Sequence, residues 1–284
     1  MNFVDYIRMI LTGLVSGTAR LLPISDSAHA ILLNRLFGNS PLYTDRFLML
    51  CYAAAGLGSA FALVFIFFNK LNVFSQYKTE DQKRNTKDLV RKMFLSAVPF
   101  TVLAAVFELL LPNFTAKVLM SPFMSAGVLI LYGVFMLGAE RKLKNKEAEI
   151  LRLSQLPVRT VLLSGLLGAL SVFSGAGPVE TILLGTLLFS SSRYVAAEFS
   201  YYAAVPPAIV LVLMRSVRYF LIDGARVSGP VGFSLLAAFG GAAIMTFALA
   251  RPVLHMLKRR ETSGFAVYRI ILGVAAIVVA AVTS

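Results

Sequence analysis

Cysteine and acidic residues are scarce in this sequence. Cys51 is the single cysteine among 284 residues, which excludes a disulfide within the chain. Asp and Glu number 14 against 27 Lys and Arg, and charged residues of both signs make up only 14% of the chain. The N-terminal segment also lacks a basic leader and a small-residue cleavage site, so we expect its first apolar segment to remain in the mature protein.

Apolar residues, by contrast, are abundant. They make up 58% of the chain, and the mean hydropathy is +0.78. These values are typical of a polytopic α-helical membrane protein and not of a soluble domain. The formal net charge of +13 could indicate nucleic-acid binding, but we expect no nucleic-acid partner, because the basic residues are grouped between apolar segments.

Most basic residues fall in three loops. The segments 69–92, 140–159 and 251–260 hold 17 of the 27 Lys and Arg residues. The other candidate loops, which hold five, are 38–46, 112–118 and 215–229. The positive-inside rule therefore predicts that the three basic loops face the cytoplasm and that both termini lie outside. Basic loops at this position also suit anionic membrane lipids as partners.

A polar stretch interrupts the first apolar segment. Residues 16–29 read S-G-T-A-R-L-L-P-I-S-D-S-A-H and lie between apolar runs at 3–15 and 30–37. Neither run alone can cross a bilayer, which takes roughly 20 apolar residues. Gly17 and Pro23 favour a break, so the chain is predicted to enter the membrane, turn and return. Charged side chains at that depth are costly and are functional candidates.

The same pattern restarts in the second half of the chain. A short apolar run at 158–172 is broken by S-G-A-G-P-V-E at 174–180 and returns through 181–189. Longer apolar segments are predicted to span the membrane at about 47–68, 94–111, 118–139, 195–214, 230–250 and 265–283. A polar turn through Asn39, Ser40 and Pro41 precedes the first of them.

Each half thus contains one broken hairpin and three spans. Because three is odd, the second hairpin starts from the opposite face, which predicts an inverted repeat. The predicted halves are 1–140, with a re-entrant hairpin at 3–37, and 141–284, with a re-entrant hairpin at 158–190. The predicted fold is a single all-α membrane domain with six transmembrane helices and two re-entrant hairpins. In such repeats, paired broken segments meet at the binding site.

Three motifs carry a family resemblance. The first break matches the pattern E-G-x-T-E-F-L-P-[IV]-S-S-T-G-H at Gly17, Leu22, Pro23, Ile24, Ser25 and His29. S-R-Y-V-A-A-E-F-S at 192–200 and F-A-V-Y-R at 265–269 are also similar. Over essentially its whole length the chain resembles the membrane-embedded undecaprenyl-diphosphate phosphatases, the bacitracin-resistance family of bacterial cell-wall lipid recycling. The resemblance implies a multi-pass protein of the bacterial cytoplasmic membrane.

The chain departs from the family where the resemblance places the chemistry. Two motif glutamates fall on Ser16 and Arg20. The second family motif, P-G-x-S-R-S-G, aligns on 174–180 with only Gly175 kept and with its arginine on Pro178. The resemblance implies that these groups hold a divalent cation, Mg²⁺ or Ca²⁺, activate the attack and clamp the diphosphate. Whether the chain is an enzyme is therefore left open, and we expect hydrolysis to be weak or lost.

Other polar residues at the two breaks are candidates for a site. The catalytic candidates are His29, Ser25 and Asp26, and the metal candidates are Asp26 and Glu180. Arg20 is the candidate clamp for a phosphate, because a guanidinium binds phosphate in a bidentate fashion. The further substrate-binding candidates are Ser27, Ser174, Gly175 and Gly177.

Structural roles compete with these functional ones. Arg20 could neutralise Asp26 or Glu180 in a buried ion pair, and His29 could be a hydrogen-bonded packing residue. The residues interpreted mainly as structural are Ser192, as a helix N-cap, Arg193, Glu198 and His255.

Three functions remain open. The first is a phosphatase that converts undecaprenyl diphosphate into the monophosphate carrier and inorganic phosphate for peptidoglycan synthesis. The second is a transporter of a polyprenyl phosphate, because inverted repeats with broken helices recur in alternating-access carriers. The third is a non-catalytic lipid-binding partner of another membrane protein. A homodimer is also left open.

Overall fold

The computed structural model describes residues 3–38, 43–144, 147–189 and 191–282. The predicted turn through Asn39, Ser40 and Pro41 lies outside them. The described residues form helices and no β-strand. In chain order the α-helices are α1 (Phe3–Leu21), α2 (Asp26–Leu36), α3 (Asp45–Ile66), α4 (Phe68–Leu71), α5 (Glu80–Ala105), α6 (Pro112–Phe114), α7 (Pro122–Leu143), α8 (Val158–Gly168), α9 (Pro178–Leu188), α10 (Arg193–Ala203), α11 (Val205–Ser216), α12 (Gly229–Leu257) and α13 (Ser263–Val282). Shorter turns are π-helical at Val106–Leu110, Thr115–Leu119 and Val217–Ile222 and 3₁₀ at Leu153–Gln155 and Ala169–Val172.

The long helices match the predicted spans. Of the described helical segments, five are long and apolar enough to cross a membrane, namely Asp45–Ile66, Glu80–Leu110, Pro122–Leu143, Arg193–Ile222 and Gly229–Leu257. The sixth predicted span corresponds to α13, whose described apolar part, Ser263–Val278, is shorter. Large apolar side chains such as Leu131 and Leu236 are more than two-thirds exposed on these helices. The prediction of an all-α multi-pass membrane protein is confirmed, because lipid can cover such surfaces.

Both predicted breaks are present. α1 ends at Leu21 and α2 begins at Asp26, so four residues form the first turn. In the second half, α8 continues as a 3₁₀ turn to Val172, and α9 begins at Pro178. Each hairpin therefore consists of two helical arms around a short irregular segment. Pro23 lies in the first break, as predicted, but the prediction that Gly17 contributes to the break is wrong, because Gly17 lies inside α1.

Small residues let the arms and spans approach one another closely. A Cβ atom on Gly17 of α1 would lie 2.6 Å from the Cα of Ala242 on α12, and one on Gly165 of α8 would lie 2.3 Å from the carbonyl oxygen of Ser96 on α5. The first arm of each hairpin is thus packed against a span of the opposite half. This packing places both breaks inside the protein.

The contact between α7 and α13 is reciprocal. A Cβ atom on Gly133 would lie 2.9 Å from the carbonyl oxygen of Ala266, and one on Gly273 would lie 2.9 Å from the carbonyl oxygen of Ala126. On α7, Gly133 follows Ala126 by seven residues, and on α13, Gly273 follows Ala266 by seven residues. Two equivalent helices in antiparallel halves would produce this arrangement. The division of the chain at residue 140 remains a prediction.

Candidate functional site

The first break holds a serine in an unusual backbone conformation. Ser25 has φ of 70°, and it is the one non-glycine residue with positive φ among those described. It is also the N-cap of α2, where its Oγ accepts a hydrogen bond from the Ala28 N–H at 3.4 Å. A left-handed conformation costs a residue with a side chain about 1 kcal/mol. Surrounding contacts must therefore hold the backbone in place.

The second break uses glycine and proline. Gly175 has φ of 98°, which a glycine adopts without steric cost. Pro178 is the first residue of α9, a position where its missing N–H has no intrahelical partner to lose. The Gly177 N–H donates to the Glu180 carboxylate at 2.6 Å. Glu180 therefore caps the start of α9, where the helix dipole favours a negative charge.

Glu180 and Arg269 join the two breaks. The Glu180 carboxylate accepts a hydrogen bond from the Ser25 N–H at 2.9 Å and forms an ion pair with Arg269 of α13. Arg269 also donates to the carbonyl oxygens of Pro23, at 3.4 Å, and of Gly175. Glu180 is 2% exposed and Arg269 is 0% exposed, so each charge depends on the other for its compensation. The prediction that the two breaks meet is confirmed.

Arg20 forms its ion pair with Asp26. Its NH2 group lies 2.5 Å from Asp26 Oδ2, and both side chains are 9% exposed. The alternative pairing of Arg20 with Glu180 is wrong, because Arg269 holds that carboxylate. Gly56 of α3 provides the space for the guanidinium, since a Cβ atom there would lie 2.7 Å from Arg20 NH2.

Two polar atoms beside this ion pair have no hydrogen-bond partner. Ser16 Oγ and Arg20 Nε are buried, lie one turn apart on α1, and make no hydrogen bond to any described residue. An unpaired buried donor or acceptor costs about 1–3 kcal/mol and is rare in native proteins. Both residues line the same pocket, so a ligand there can supply the missing partner.

This space is called the tip pocket below. Its empty volume, with its mouth included, is about 660 Å³. Its polar lining residues are Ser16, Arg20, Asp26, Ser27, Tyr52, Glu108, Ser171 and Arg215. Apolar side chains, among them Phe100 and Leu211, complete the wall. The pocket thus combines charged groups for a polar ligand with an apolar surface.

A second ion pair lines the tip pocket. Arg215 of α11 donates through Nε to Glu108 Oε1 at 2.9 Å and through NH1 to the Met49 carbonyl oxygen at 2.8 Å. Glu108 is 4% exposed and Arg215 is 6% exposed. Glu108 lies in a π-helical turn, a distortion that is frequent at functional sites. The pocket therefore contains two guanidinium groups, each held by one carboxylate.

His29 is not among the described residues that line the tip pocket. Its Nδ1 lies 2.7 Å from the carbonyl oxygen of Ser25, and its Nε2 lies 2.8 Å from the hydroxyl of Tyr268. A carbonyl oxygen only accepts, so Nδ1 donates to Ser25, while Nε2 pairs with the Tyr268 hydroxyl, which can donate or accept. Both ring nitrogens therefore have hydrogen-bond partners within the protein, as expected for a packing residue. Catalysis by His29 stays a prediction.

The other predicted residues also have partners within the protein. Ser27 Oγ accepts from the Gly175 N–H at 3.3 Å and lies 3.3 Å from Ser25 Oγ. Ser174 donates to the carbonyl oxygen of Leu119 and accepts from Ser125 at 2.8 Å. Of the predicted set, Arg20, Asp26 and Ser27 line the tip pocket. Contacts of Ser174, Gly175 and Gly177 with a substrate stay predictions.

The predicted divalent cation does not fit the donor set. No group of three or more His, Cys, Asp or Glu residues in the described part of the chain is arranged to hold a metal ion. Asp26 and Glu180, the predicted ligands, are each paired with an arginine. A cation would have to displace a guanidinium from a buried carboxylate, so no step below is assigned to a metal.

Three charged residues of the site were not predicted. Arg269 and Glu108 each lie within an apolar segment, and a charged residue there is a functional candidate by itself. That signal could have identified both. Arg215 belongs to the segment 215–229 predicted to be an outer loop, but it is buried and is the one charged residue of the apolar helix α11.

The chain matches a known protein family over most of its length. The sequence profile of the family "Bacitracin resistance protein BacA" matches residues 9–275. That range contains both breaks and every residue of the tip pocket described above.

Individual relatives are similar over nearly their full length. The undecaprenyl-diphosphatase of Streptococcus mutans is 31% identical over 277 residues, which cover 96% of this chain and 95% of the relative. The enzyme of the same name from Lacticaseibacillus casei is 31% identical over 269 residues, with 95% and 96% covered. The one from Leuconostoc citreum is 29% identical over 272 residues, with 95% of each chain covered.

Proposed function

The chain belongs to the bacitracin resistance protein BacA family, and on that premise we propose that its tip pocket binds the phosphate head group of a polyprenyl phosphate or diphosphate. The ligand class comes from the relatives, which are named undecaprenyl-diphosphatase. The proposal places this multi-pass protein in the bacterial cytoplasmic membrane, in recycling of the cell-wall lipid carrier. It also holds that hydrolysis is weak or lost.

The two unpaired atoms on α1 carry the proposal. A phosphate oxygen accepts hydrogen bonds, so it matches both the Arg20 Nε–H and the Ser16 hydroxyl. A guanidinium has five N–H donors, which allows Arg20 to keep Asp26 and still bind a phosphate. The charge-assisted hydrogen bonds are strong here, because the side chains are buried. Phe100 and Leu211 offer an apolar surface to the adjoining prenyl carbons.

The reaction itself has little support from the residues present. Hydrolysis breaks the terminal phosphoanhydride bond and adds water, giving the lipid monophosphate and orthophosphate, and it requires charge neutralisation and a positioned nucleophile. Ser16 and Arg20 occupy the positions that the resemblance assigns to carboxylates. Asp26 and Glu180 are neutralised by arginines, and His29 is hydrogen-bonded away from the pocket lining. The residues present therefore support binding of the head group better than they support hydrolysis.

A transporter is the second candidate, because a second space adjoins the first break. This groove has an empty volume, with its open mouth included, of about 950 Å³ and is lined by Leu22, Ile24, Met256, Arg260, Glu261, Gly264, Phe265 and Tyr268. Arg260 and Glu261 belong to a loop predicted to be cytoplasmic. The turn at 22–25 supplies Leu22 and Ile24 to the groove, and the next residues, Asp26 and Ser27, line the tip pocket. The two spaces therefore adjoin the same break, as alternating access to one head group would require.

The binding test uses the purified full chain in lipid nanodiscs and undecaprenyl phosphate as the ligand. Arg20→Gln should weaken binding by at least about tenfold, since a hydrogen bond to a charged group is worth roughly 1.5–3 kcal/mol. The double variant Arg20→Gln/Asp26→Asn removes the carboxylate that Arg20→Gln alone would leave buried without a partner, and it should show the same loss of binding. Arg226→Gln, at an exposed residue outside the pocket, is the matched control. Unchanged binding in both Arg20 variants contradicts the proposal.

Two further assays separate the functions. Phosphate release from undecaprenyl diphosphate is measured with and without Mg²⁺ or Ca²⁺, beside a relative that has the intact motif. Transfer of undecaprenyl phosphate between leaflets is measured in vesicles. Binding with transfer but slow release supports the transporter, and binding alone supports a lipid-binding partner. If this chain releases phosphate as fast as the relative with the intact motif does, the proposal that its hydrolysis is weak is overturned.

A further inference from the structure

A larger cavity, called the outer cavity below, adjoins the tip pocket. Its empty volume, with its open mouth included, is about 1120 Å³, and it lies between the start of α1, the end of α2, the start of α3 and the turn before α7. Tyr52 and Met120 line both spaces, so the outer cavity and the tip pocket share a wall. Gly38, Tyr43, Thr44, Asp45, Ala116 and Lys117 of its lining belong to the segments 38–46 and 112–118, which are predicted to face outside.

The lining of the outer cavity is cationic. Arg8, Arg35 and Lys117 line it, against one carboxylate among the described lining residues, that of Asp45. Neither Arg35 nor Lys117 forms an ion pair with a residue in the described part of the chain. A concave space with excess positive charge raises the local concentration of anions.

Arg8 is a fixed part of this lining. It is 3% exposed, and its guanidinium donates to the Asn34 side chain at 2.6 Å and to the carbonyl oxygens of Asn34 and Gly38 at 3.3 and 3.2 Å. These hydrogen-bond acceptors are neutral, and Asp5, one turn earlier on α1, is a carboxylate whose charge acts on the guanidinium. The guanidinium also lies 4.6 Å from the ring centroid of Tyr43, a cation–π distance. Burial raises the pKa of Tyr43, which keeps its hydroxyl neutral.

We propose that the outer cavity is a second binding site for a phosphate group and that phosphate moves through it between the outer side and the tip pocket. The inference rests on the proposed function of the tip pocket. The phosphate is either the head group of a lipid or a free inorganic anion, since three cations and the hydroxyl of Ser121 suit both. Tyr52 and Met120, which line both spaces, make the two sites adjacent.

Thiol chemistry at Lys117 tests the charge directly. Cys51 is buried, so a cysteine introduced by Lys117→Cys is the accessible thiol. A cationic trimethylammonium methanethiosulfonate restores a positive charge there, and an anionic sulfonate reagent reverses it. Inorganic diphosphate and undecaprenyl phosphate serve as separate probes of the full chain in nanodiscs. We expect Lys117→Cys to weaken binding by about threefold, the cationic reagent to restore it and the anionic one to weaken it further.

Two further variants should change the binding affinity in opposite directions. Arg35→Gln combined with Lys117→Gln should weaken binding by about tenfold, whereas Asp45→Asn, which removes the lining carboxylate, should strengthen it. If these residues had only a structural role, removing positive charge and removing negative charge would not change the binding affinity in opposite directions. Arg226→Cys with the same two reagents is the control, because Arg226 is exposed, lies in a segment predicted to face outside and does not line the cavity. Effects on inorganic diphosphate alone identify a free anion, and effects on the lipid alone identify a head group.

The two proposals fail in different ways. If the Lys117→Cys variant binds the probes with the same affinity after cationic and after anionic modification, the outer site is overturned. If Arg20→Gln nevertheless loses lipid binding, the proposed function of the tip pocket stands. If Arg20→Gln binds the lipid normally, the tip-pocket function fails. The outer site is then judged by inorganic diphosphate alone, and it is overturned when the charge at position 117 has no effect on that affinity.

Discussion

The backbone N–H of Ser25 donates to the carboxylate of Glu180 at 2.9 Å, across 155 residues of sequence. This bond joins the broken hairpin of one half to that of the other. Ser25 is held with φ of 70°, and Glu180 caps α9, so each break depends on the other for its geometry. The tip pocket, which is lined by Asp26 next to Ser25 and by Pro178 close to Glu180, is therefore assembled only when the two halves pack together.

Arg269 is expected to be essential for stability. Arg269→Gln leaves the Glu180 carboxylate buried without its counter-charge, and breaking a buried ion pair in this way costs about 3–5 kcal/mol. The measurement is the thermal unfolding of purified protein in detergent. Glu180→Gln combined with Arg269→Gln should regain part of the loss, because no unpaired charge remains. Equal stability of the single and double variants would contradict the pairing.

Two substitutions at Ser25 separate backbone strain from helix capping. Ser25→Gly relieves the left-handed strain of about 1 kcal/mol and loses only a few tenths through the cap, so stability should be unchanged or higher. Ser25→Ala keeps the strain and loses the cap, which costs about 1 kcal/mol. Unfolding in detergent is compared for both. The interpretation is wrong if the alanine variant is as stable as the glycine variant.

The sequence predicted the parts of the structure that depend on local pattern. The apolar run before Pro23 is too short to span a bilayer, and the structure breaks there between Leu21 and Asp26. The odd number of spans in each half predicted opposed hairpins, and the two breaks do meet at Glu180. Length, hydropathy and the restrictions of proline decide these features, and all three can be read from a single chain.

The pairing of charges depends on tertiary packing and was only partly predictable. Which carboxylate Arg20 contacts is set by the rotation of α1 against α2 and by the space at Gly56, and neither follows from spacing in the sequence. Likewise Arg269 reaches Glu180 because α13 packs on α7 at glycines, which brings distant residues together. Helix periodicity shows which residues share a face, but it does not show what each face contacts.

The close approach of α3 and α12 gives a prediction with a matched control. A Cβ atom on Gly58 would lie 2.1 Å from the carbonyl oxygen of Phe239, so Gly58→Ala must move the helices apart and should cost about 1–3 kcal/mol. Gly240→Ala introduces the same methyl group on α12, where no other atom lies within 4 Å, and should be neutral or slightly stabilising. Thermal unfolding measures both. Similar losses in the two variants would mean that helix contact is not the cause.

The last prediction concerns the missing carboxylates. Ser16 and Arg20 line the tip pocket one turn apart on α1, with Asp26 beside them, and Pro178 lines it from the start of α9. The triple substitution Ser16→Glu, Arg20→Glu and Pro178→Arg would add two carboxylates next to Asp26, enough for a divalent cation, and one guanidinium for a phosphate. Proline can be replaced at the first helical position without breaking a backbone hydrogen bond.

We expect this variant to gain phosphate release from undecaprenyl diphosphate that depends on Mg²⁺ or Ca²⁺, because carboxylates and a metal typically supply several kcal/mol of transition-state stabilisation. The gain over the native chain should be at least about tenfold, which corresponds to roughly 1.4 kcal/mol. The control is Ser16→Gln, Arg20→Gln and Pro178→Arg, which has similar side-chain volumes but no added carboxylate. If the two triple variants release phosphate at the same rate, the two first-motif carboxylates are not what this pocket lacks, and the proposed reason for its weak hydrolysis is wrong.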